Sequence, residues 1–181
     1  MDSRTCLITG CSSGIGKALA LALAHDGYHV FATVRKEADG ASFAQTAPSQ
    51  ITPLIMDLTD PQSISAIVDT LKSDYGLTTL DLLINNAGVA VAGPLEYLDI
   101  DLLQHQFAVN VTGTLCVTQA LLPYLRQAQG RILNIGSVSG QITLPFFGPY
   151  SASKSALAAL TRALRMELKP WGIPVTLIQP G

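Results

Sequence analysis

The sequence predicts an α/β protein with a doubly wound parallel sheet covered by helices on both faces. Six short apolar runs alternate along the 181 residues with segments of helical periodicity. Strands that alternate with helices require a parallel sheet with helices packed on both sides. A glycine-rich turn joins the first run to the first helical segment, as in folds that bind ligands at the carboxyl ends of their strands. The expected strand order is 3-2-1-4-5-6, in a single domain over residues 1–181.

The first third of the chain predicts three strands and two helices. Residues 4–9 are an apolar run that enters Gly10, which is typical of a buried strand. The following helix ends at Gly27 and is predicted by four apolar residues at helical spacing: Ile15, Leu19, Ala22 and Leu23. A second strand is expected over residues 28–34 and a short helix over 38–47. The third strand, over 50–56, contains Pro53, which indicates an edge position because proline lacks a backbone N–H.

The rest of the chain repeats the same alternation. Asp60 and Pro61 predict the start of a helix that runs to about residue 75, with the aspartate as N-cap. Pro123 is expected to kink its helix, and Pro170 to end the last one. The remaining strands are expected over residues 80–85, 131–136 and 173–179, and the remaining helices over 99–109, 112–126 and 150–168.

The composition excludes several classes of protein. Apolar residues make up 48% and charged residues 13%, and the formal net charge of −2 gives no basis for binding nucleic acid. The apolar runs are too short to span a membrane, and we expect no signal peptide, because the first strand follows residues 1–4 directly. Cys6, Cys11 and Cys116 are an odd number without metal-ligand spacing, so we expect no metal and a reducing, cytoplasmic environment.

The glycine turn has the spacing Gly10-x-x-x-Gly14-x-Gly16, with Ser12 and Ser13 inside it. Glycines allow the backbone to approach a pyrophosphate closely, and the helix N-terminus supplies free N–H groups. The spacing differs from the common Gly-x-Gly-x-x-Gly pattern of dinucleotide-binding turns. A tight turn that binds nothing is therefore an open alternative.

Tyr150 and Lys154 are separated by about one helical turn, so both side chains can share one helix face. A phenol is a poor acid or base at neutral pH, and an ammonium one turn away stabilises the phenolate. Ser137 lies thirteen positions before the tyrosine, and its hydroxyl can hold a carbonyl oxygen against the phenol. This pattern predicts acid–base chemistry, with an ordinary amphipathic helix as the alternative.

These motifs occur in an order that resembles the classical short-chain dehydrogenase/reductase family over essentially the whole chain. The sequence is most similar in appearance to hydroxysteroid and retinol dehydrogenase members. The resemblance implies a Rossmann-type fold of three α/β/α layers and a single dinucleotide-binding catalytic domain. Family members continue with a substrate lid and a seventh strand, so we expect a truncated C-terminus. The residues that carry the resemblance are Thr9, Gly10, Gly14, Ile15, Gly16, Asp57, Leu58, Asn85, Asn86, Ala87, Gly88, Asn110, Ser137, Tyr150, Lys154, Pro180 and Gly181.

The resemblance implies four catalytic residues. Tyr150 would be the general acid and base, and Lys154 would lower the pKa of this tyrosine and hydrogen-bond the nicotinamide ribose. Ser137 would hold the substrate oxygen, and Asn110 would anchor a water that links the lysine to solvent. Asn110 lies between two predicted helices and can also be a helix cap, which is compatible with the catalytic role. The alternative for Ser137 is a plain turn residue at a strand end.

The resemblance also implies cofactor contacts along the carboxyl edge of the sheet. Asp57 would meet the adenine, with a plain turn residue as the alternative. Arg35 stands where an acidic residue would favour NAD, so NADP is favoured over NAD, with a solvated surface charge as the alternative. The Asn85–Asn86 pair can also be a loop cap. The full set of expected cofactor-binding residues is Gly10, Ser12, Ser13, Gly14, Ile15, Gly16, Arg35, Asp57, Leu58, Asn86, Ala87, Gly88, Tyr150, Lys154, Pro180 and Gly181.

The expected function is NADP-dependent hydride transfer to or from a hydrophobic ketone or secondary alcohol. Residues 89–95 and 141–147 are apolar, and Phe146 and Phe147 belong either to a substrate pocket or to the core. A dinucleotide-binding scaffold or sensor without turnover is the alternative. An epimerase or dehydratase on the same fold would usually carry a Gly-x-x-Gly-x-x-Gly turn, which is absent.

Helices 112–126 and 151–168 carry apolar residues over more than one stripe, which predicts a second buried face on each. These residues include Leu115, Val117, Leu121, Leu157, Leu160 and Leu164. In the family, these two helices pair with their symmetry mates. The sequence therefore predicts a homodimer or homotetramer, with burial in the core of one subunit as the alternative.

Overall fold

A computed structural model describes residues 4–46 and 49–181, and within them six parallel strands form one sheet. Numbered along the chain, the strands lie in the spatial order 3-2-1-4-5-6, which confirms the predicted fold class, and Pro53 lies in an edge strand as expected. Each strand is shorter than its predicted run. The strands are β1 (Thr5–Ile8), β2 (His29–Val34), β3 (Ile51–Ile55), β4 (Leu82–Asn85), β5 (Arg131–Ile135) and β6 (Val175–Ile178).

Helices cover both faces of the sheet and complete three layers. The described helices are α1 (Gly14–His25), α2 (Glu37–Thr46), α3 (Pro61–Ser73), α4 (Ile100–Phe107), α5 (Thr114–Ala128) and α6 (Gly148–Glu167). One apolar cluster joins the sheet to α3, α5 and the end of α6, and the other joins it to α1 and α2. The predicted end of α2 at Ala47 lies outside the described residues.

Most helix termini follow the predicted capping signals. The Asp60 carboxylate accepts a hydrogen bond from the Gln62 N–H at 2.9 Å, and Pro61 begins α3. Gly27 follows α1 with a φ of +84°, in the left-handed region that favours glycine. Helix α6 begins at Gly148, two residues before the predicted start, because Pro149 fits the first helical turn. Tyr150 therefore lies inside the first turn of α6.

The two helices predicted over 99–109 and 112–126 are one continuous helical segment. A π-helical turn, Ala108–Gly113, joins α4 directly to α5. The prediction of a break was wrong because the extra residue in this turn shifts the apolar periodicity between the two halves. Helix α5 also continues through Pro123, and the predicted kink at that residue stays a prediction.

Three further observations on the described residues concern the cysteines, possible metal ligands and membrane-spanning helices. The cysteines are free, and burial raises the pKa of the Cys11 thiol to about 12. Among residues 4–46 and 49–181, no three His, Cys, Asp or Glu side chains lie together as metal ligands. No helix in the same part of the chain is long and apolar enough to cross a membrane.

Candidate active site

The glycine turn packs against the loop that follows β4. The Thr9 hydroxyl accepts from the N–H groups of Asn86 and Ala87, both at 3.0 Å. The Asn86 side chain in turn donates to the carbonyl oxygens of Thr9 and Gly10, at 2.9 and 3.0 Å. Gly10 has a φ of +72°, and an added Cβ would lie 2.7 Å from the Ala87 Cα. This close approach explains the first glycine of the motif. The hydrogen bonds of the Thr9 hydroxyl hold the loop after β4 in place, and Thr9 was not among the predicted site residues.

The N-terminus of α1 opens into a cleft at the carboxyl edge of the sheet. Ser13 occupies the N-cap position, but within the described structure its side chain makes no capping hydrogen bond. The first N–H groups of α1 therefore stay available to a ligand. Ser12, Ser13 and Ile15 line this cleft, and Gly16 allows the close packing behind it, since an added Cβ would overlap the Gly10 carbonyl oxygen.

This first cleft has a volume of about 390 Å³ and extends from the glycine turn to the ends of β2 and β3. Most predicted cofactor residues of this region line it, including Arg35, whose side chain is exposed. His105 of α4 and Val109 of the following π turn also line the cleft and were not predicted. The full lining is Gly10, Ser12, Ser13, Ile15, Thr33, Val34, Arg35, Met56, Asp57, Leu58, Asn86, Ala87, Gly88, Val89, His105 and Val109.

Asp57 is a turn residue that also lines the first cleft. One carboxylate oxygen accepts from the Thr59 N–H at 2.8 Å and from the Thr59 hydroxyl at 2.7 Å. These hydrogen bonds lower the pKa of the Asp57 carboxyl, and the nearby Arg35 and His105 lower it further. The alternative role of Asp57 as a turn residue is therefore present, and the same residue also lines the cleft.

A second cleft, of about 260 Å³, adjoins the first and contains three of the four predicted catalytic residues. Ser137 reaches it from the end of β5, and Tyr150 and Lys154 from the first two turns of α6. The two clefts share Ile15, Asn86, Gly88 and Val89, so they form one continuous groove. The second cleft is lined by Ile15, Asn86, Gly88, Val89, Ala90, Ile135, Gly136, Ser137, Tyr150, Lys154, Pro180 and Gly181.

Lys154 is almost completely buried, with 4% of its surface exposed. Its Nζ donates to the Ile135 carbonyl oxygen at 2.8 Å and lies 5.7 Å from the centre of the Tyr150 ring. Burial lowers the pKa of the Lys154 ammonium from 10.5 to about 8. The group therefore remains mostly charged at neutral pH, and it holds its proton less firmly than an exposed lysine does.

Ser137 lies at the junction of β5 and a short 3₁₀ turn, Val138–Gly140. Its hydroxyl oxygen accepts from the Ser139 N–H at 3.1 Å, so the predicted turn role is present. Its carbonyl oxygen accepts from the Gln179 side chain at 3.3 Å, which joins this turn to the segment after β6. The hydroxyl keeps its own proton for a further acceptor in the second cleft.

Asn110 is not the helix cap that its sequence position suggested. It lies within the π turn between α4 and α5 and is 1% exposed. Its Oδ1 accepts from the Val89 N–H at 2.8 Å, and its Nδ2 donates to the Val89 carbonyl at 2.9 Å and to the Ser153 hydroxyl at 3.0 Å. π turns are frequent at functional sites, and this one holds Asn110 against Val89 and Ser153.

A buried polar chain behind the groove was not predicted. The Asn85 Nδ2 donates to the Asn134 Oδ1 and to the Thr118 hydroxyl, both at 2.9 Å. The Asn134 Nδ2 donates to the Thr161 hydroxyl at 2.9 Å, which joins β4 and β5 to α5 and α6. The sequence feature that could have indicated these buried hydrogen bonds is Asn134, a polar residue among the Ile and Leu residues of β5.

Comparison with known proteins supports the resemblance. The model of the family described as "short chain dehydrogenase" matches residues 4–181. The NADPH-dependent 3-dehydrocapnine reductase of Ornithobacterium rhinotracheale is 39% identical over 183 residues, covering 98% of this chain and 65% of that protein. Retinol dehydrogenase 5 of Mus musculus is 41% identical over 175 residues, covering 96% of this chain and 55% of that protein.

A solved structure of a short-chain dehydrogenase from Streptomyces avermitilis superposes with a TM-score of 0.94 at 34% identity. The match covers 100% of this chain and 66% of the Streptomyces chain. The chain thus spans between about half and two thirds of the length of the relatives it matches. Since the family model matches nearly all of it, the chain belongs to the short chain dehydrogenase family.

Proposed function

We propose that this chain holds the cofactor-binding and catalytic residues of an NADP-dependent oxidoreductase. The reaction is hydride transfer between a nicotinamide and an apolar ketone or secondary alcohol. The observation that carries the proposal is the continuous groove, which brings Ser137, Tyr150 and Lys154 next to the glycine turn. Bound in that groove, the nicotinamide would supply or accept the hydride.

The groove has the features that a dinucleotide needs. The glycine turn presents bare backbone and the free N–H groups of α1, which suit a pyrophosphate. At the other end of the first cleft, the Arg35 guanidinium can bind a 2′-phosphate through two hydrogen bonds. A carboxylate at that position would instead favour the free 2′-hydroxyl of NAD. The NADPH dependence stated in the name of the Ornithobacterium relative supports the same preference.

The catalytic residues supply the proton. The Tyr150 hydroxyl gives its proton to the substrate oxygen during reduction and takes it back during oxidation. The Ser137 hydroxyl donates to the same oxygen and holds it in place. The charged Lys154, one helical turn from the tyrosine, favours the phenolate that forms when the proton leaves.

Apolar surface beside the second cleft favours a hydrophobic substrate. The Gly93 N–H donates to the Phe146 carbonyl at 2.8 Å, which joins the segment after β4 to the segment before α6. Both segments carry exposed apolar side chains, among them Leu95, Ile142 and Phe146. Such surface suits an apolar ketone or alcohol. The name of the retinol dehydrogenase relative is consistent with this class.

The proposal also includes a homodimer or homotetramer formed through α5 and α6. Val117, Leu121 and Leu157 face the core of the domain and are 3% exposed or less. Leu115 and Leu160 remain partly exposed on the same helices, whereas the partly buried Leu164 packs against the core. This second set supports the prediction of another apolar face on each helix.

Tyr150→Phe in the full-length protein tests the catalytic assignment. The probes are NADPH with all-trans-retinal, a 3-ketosteroid and cyclohexanone, and turnover is followed by the loss of reduced nicotinamide. Without the phenolic proton, we expect turnover to fall by about 10²–10⁴-fold while NADPH binding stays within about twofold. Turnover by the variant within threefold of the native protein contradicts the assignment. A native protein that binds NADPH but turns over no probe supports the scaffold alternative.

A further inference from the structure

Ser153 is a fully buried serine of α6 that contacts two predicted catalytic residues. Its hydroxyl donates to the Tyr150 carbonyl oxygen at 2.8 Å and accepts from the Asn110 Nδ2 at 3.0 Å. Its exposed fraction is 0%, and it directly precedes Lys154 in the sequence. The hydrogen bond to Asn110 is buried, and the one to the Tyr150 carbonyl oxygen is partly buried.

The directions of these hydrogen bonds follow from chemistry. The Val89 N–H can only donate and its carbonyl can only accept, which determines the end of the Asn110 amide that is Oδ1. The Nδ2 group therefore faces Ser153, whose oxygen must accept. Since a hydroxyl has one proton, that proton goes to the Tyr150 carbonyl.

The resulting network joins three segments around the second cleft: the loop after β4, the π turn and the start of α6. Gly88 lies against the network, because an added Cβ would be 3.3 Å from the Asn110 Oδ1 and 3.5 Å from the Lys154 Nζ. The asparagine amide and the lysine ammonium thus approach the same point of the loop. Ser153 is the hydroxyl that connects Asn110 to the helix carrying the tyrosine and the lysine.

We propose that Ser153 is a positioning residue, which fixes Asn110 against the turn of α6 that carries Tyr150 and Lys154. The inference rests on the proposed function, in which those residues move the proton. Without the hydroxyl, the buried Asn110 Nδ2 loses one acceptor, and only its two hydrogen bonds with Val89 still hold the amide. The hydrogen-bond network then no longer connects the loop after β4 to the turn of α6 that carries Tyr150.

The helix itself offers a matched control. Ser151 is 2% exposed, lies two residues away, and its hydroxyl has no hydrogen-bond partner within the described structure. Ser151→Ala and Ser153→Ala therefore remove the same atom from the same buried helix, but only the second breaks the network. Ser153→Thr keeps a hydroxyl at the position and tests for rescue.

The first measurement is hydrogen exchange of the Val89 amide in the cofactor-free, full-length protein. We expect exchange to become at least about tenfold faster in Ser153→Ala and to stay within twofold of native in Ser151→Ala. The second measurement is turnover with NADPH and the substrate probes above. We expect kcat to fall about tenfold in Ser153→Ala alone, with NADPH affinity within about twofold and partial recovery in Ser153→Thr.

The inference is overturned if kcat and Val89 exchange in Ser153→Ala match those of Ser151→Ala. It is also overturned if NADPH affinity falls as much as kcat, since this describes a general loss of structure. A native protein that neither binds NADPH nor turns over a probe refutes the proposed function instead. In that case the Val89 exchange still decides whether Ser153 holds Asn110.

Discussion

Alanine substitutions at three glycines of the turn after β1 separate backbone strain from crowding. Gly14 has a φ of +57°, and nothing lies within 4 Å of an added Cβ. Gly16 has no left-handed φ, but its Cβ would overlap the Gly10 carbonyl oxygen and the Asn86 side-chain nitrogen. Gly10 combines both problems, with a φ of +72° and an added Cβ 2.7 Å from the Ala87 Cα. The three substitutions should therefore differ in cost.

The magnitudes follow from these environments. A left-handed backbone costs an L-residue about 1–2 kcal/mol, and replacing glycine by alanine returns about 0.4–1 kcal/mol through the unfolded state. Gly14→Ala should thus lower the free energy of unfolding by about 1 kcal/mol or less. Overpacking adds about 1–3 kcal/mol, and the upper part of this range applies to Gly16, whose added Cβ would overlap the Gly10 carbonyl oxygen. After the same gain through the unfolded state is subtracted, the cost is about 2 kcal/mol for Gly16→Ala and, with the left-handed backbone added, about 3 kcal/mol for Gly10→Ala.

Urea unfolding of the cofactor-free protein measures these differences. Gly76→Ala is the matched control, because Gly76 has a φ of +59°, nothing within 4 Å of an added Cβ and a position away from the groove. The expected order of cost is Gly10, then Gly16, then Gly14 and Gly76 together. If Gly14→Ala costs as much as Gly10→Ala, contact with Ala87 is not what requires glycine in this turn, and the reasoning fails.

Three further predictions concern cofactor choice, pH dependence and assembly. Arg35→Ala should weaken NADPH binding about 10–100-fold and NADH binding less than twofold, as measured by titration with Lys36→Ala as the control. Equal losses of affinity for the two cofactors would mean that Arg35 is only a surface charge. Because burial holds the pKa of folded Lys154 near 8, the unfolded state binds more protons between pH 8 and 10.5, and stability rises across that window. Compared with Lys154→Met, the native unfolding free energy should gain about 2–3 kcal/mol between about pH 7 and 10, and a constant gap would contradict the burial effect. The full-length protein should sediment as a dimer or tetramer, and a monomer at micromolar concentration would exclude the proposed interface.

The strands and the groove were predictable from local sequence. Each strand is a short apolar run, and the glycine turn, Asp57 and Ser137 all follow such runs. In a parallel sheet the carboxyl ends of strands meet at one edge, so the pattern alone brought these residues together. Tyr150 and Lys154 needed only helical spacing to share a face.

The contacts that arrange the site were not predictable in the same way. The π turn at Asn110 changes the helix phase by one residue, and no local residue pattern distinguishes it from a break between two helices. Ser153 meets Asn110 across 43 residues of chain, and Asn85 meets Asn134 across 49. Such partners depend on how elements pack, which periodicity does not contain. His105 reaches the first cleft for the same reason.

The pairing of Asn85 with Asn134 has a consequence for how the sheet assembles. Apart from these two asparagines and Arg131, strands β4 and β5 contain only Leu and Ile, whose side chains would pack acceptably if one strand slid along the other by two residues. In the native alignment the two asparagines are direct partners, and their amides meet. A shifted alignment would separate the Asn134 Oδ1 from its donor, the Asn85 Nδ2, and a buried oxygen left unsatisfied in this way costs about 1–3 kcal/mol. The asparagine pair therefore favours the native alignment of β4 and β5 over shifted ones. This preference matters because the two strands are joined by a long crossover, which must close before they can pair.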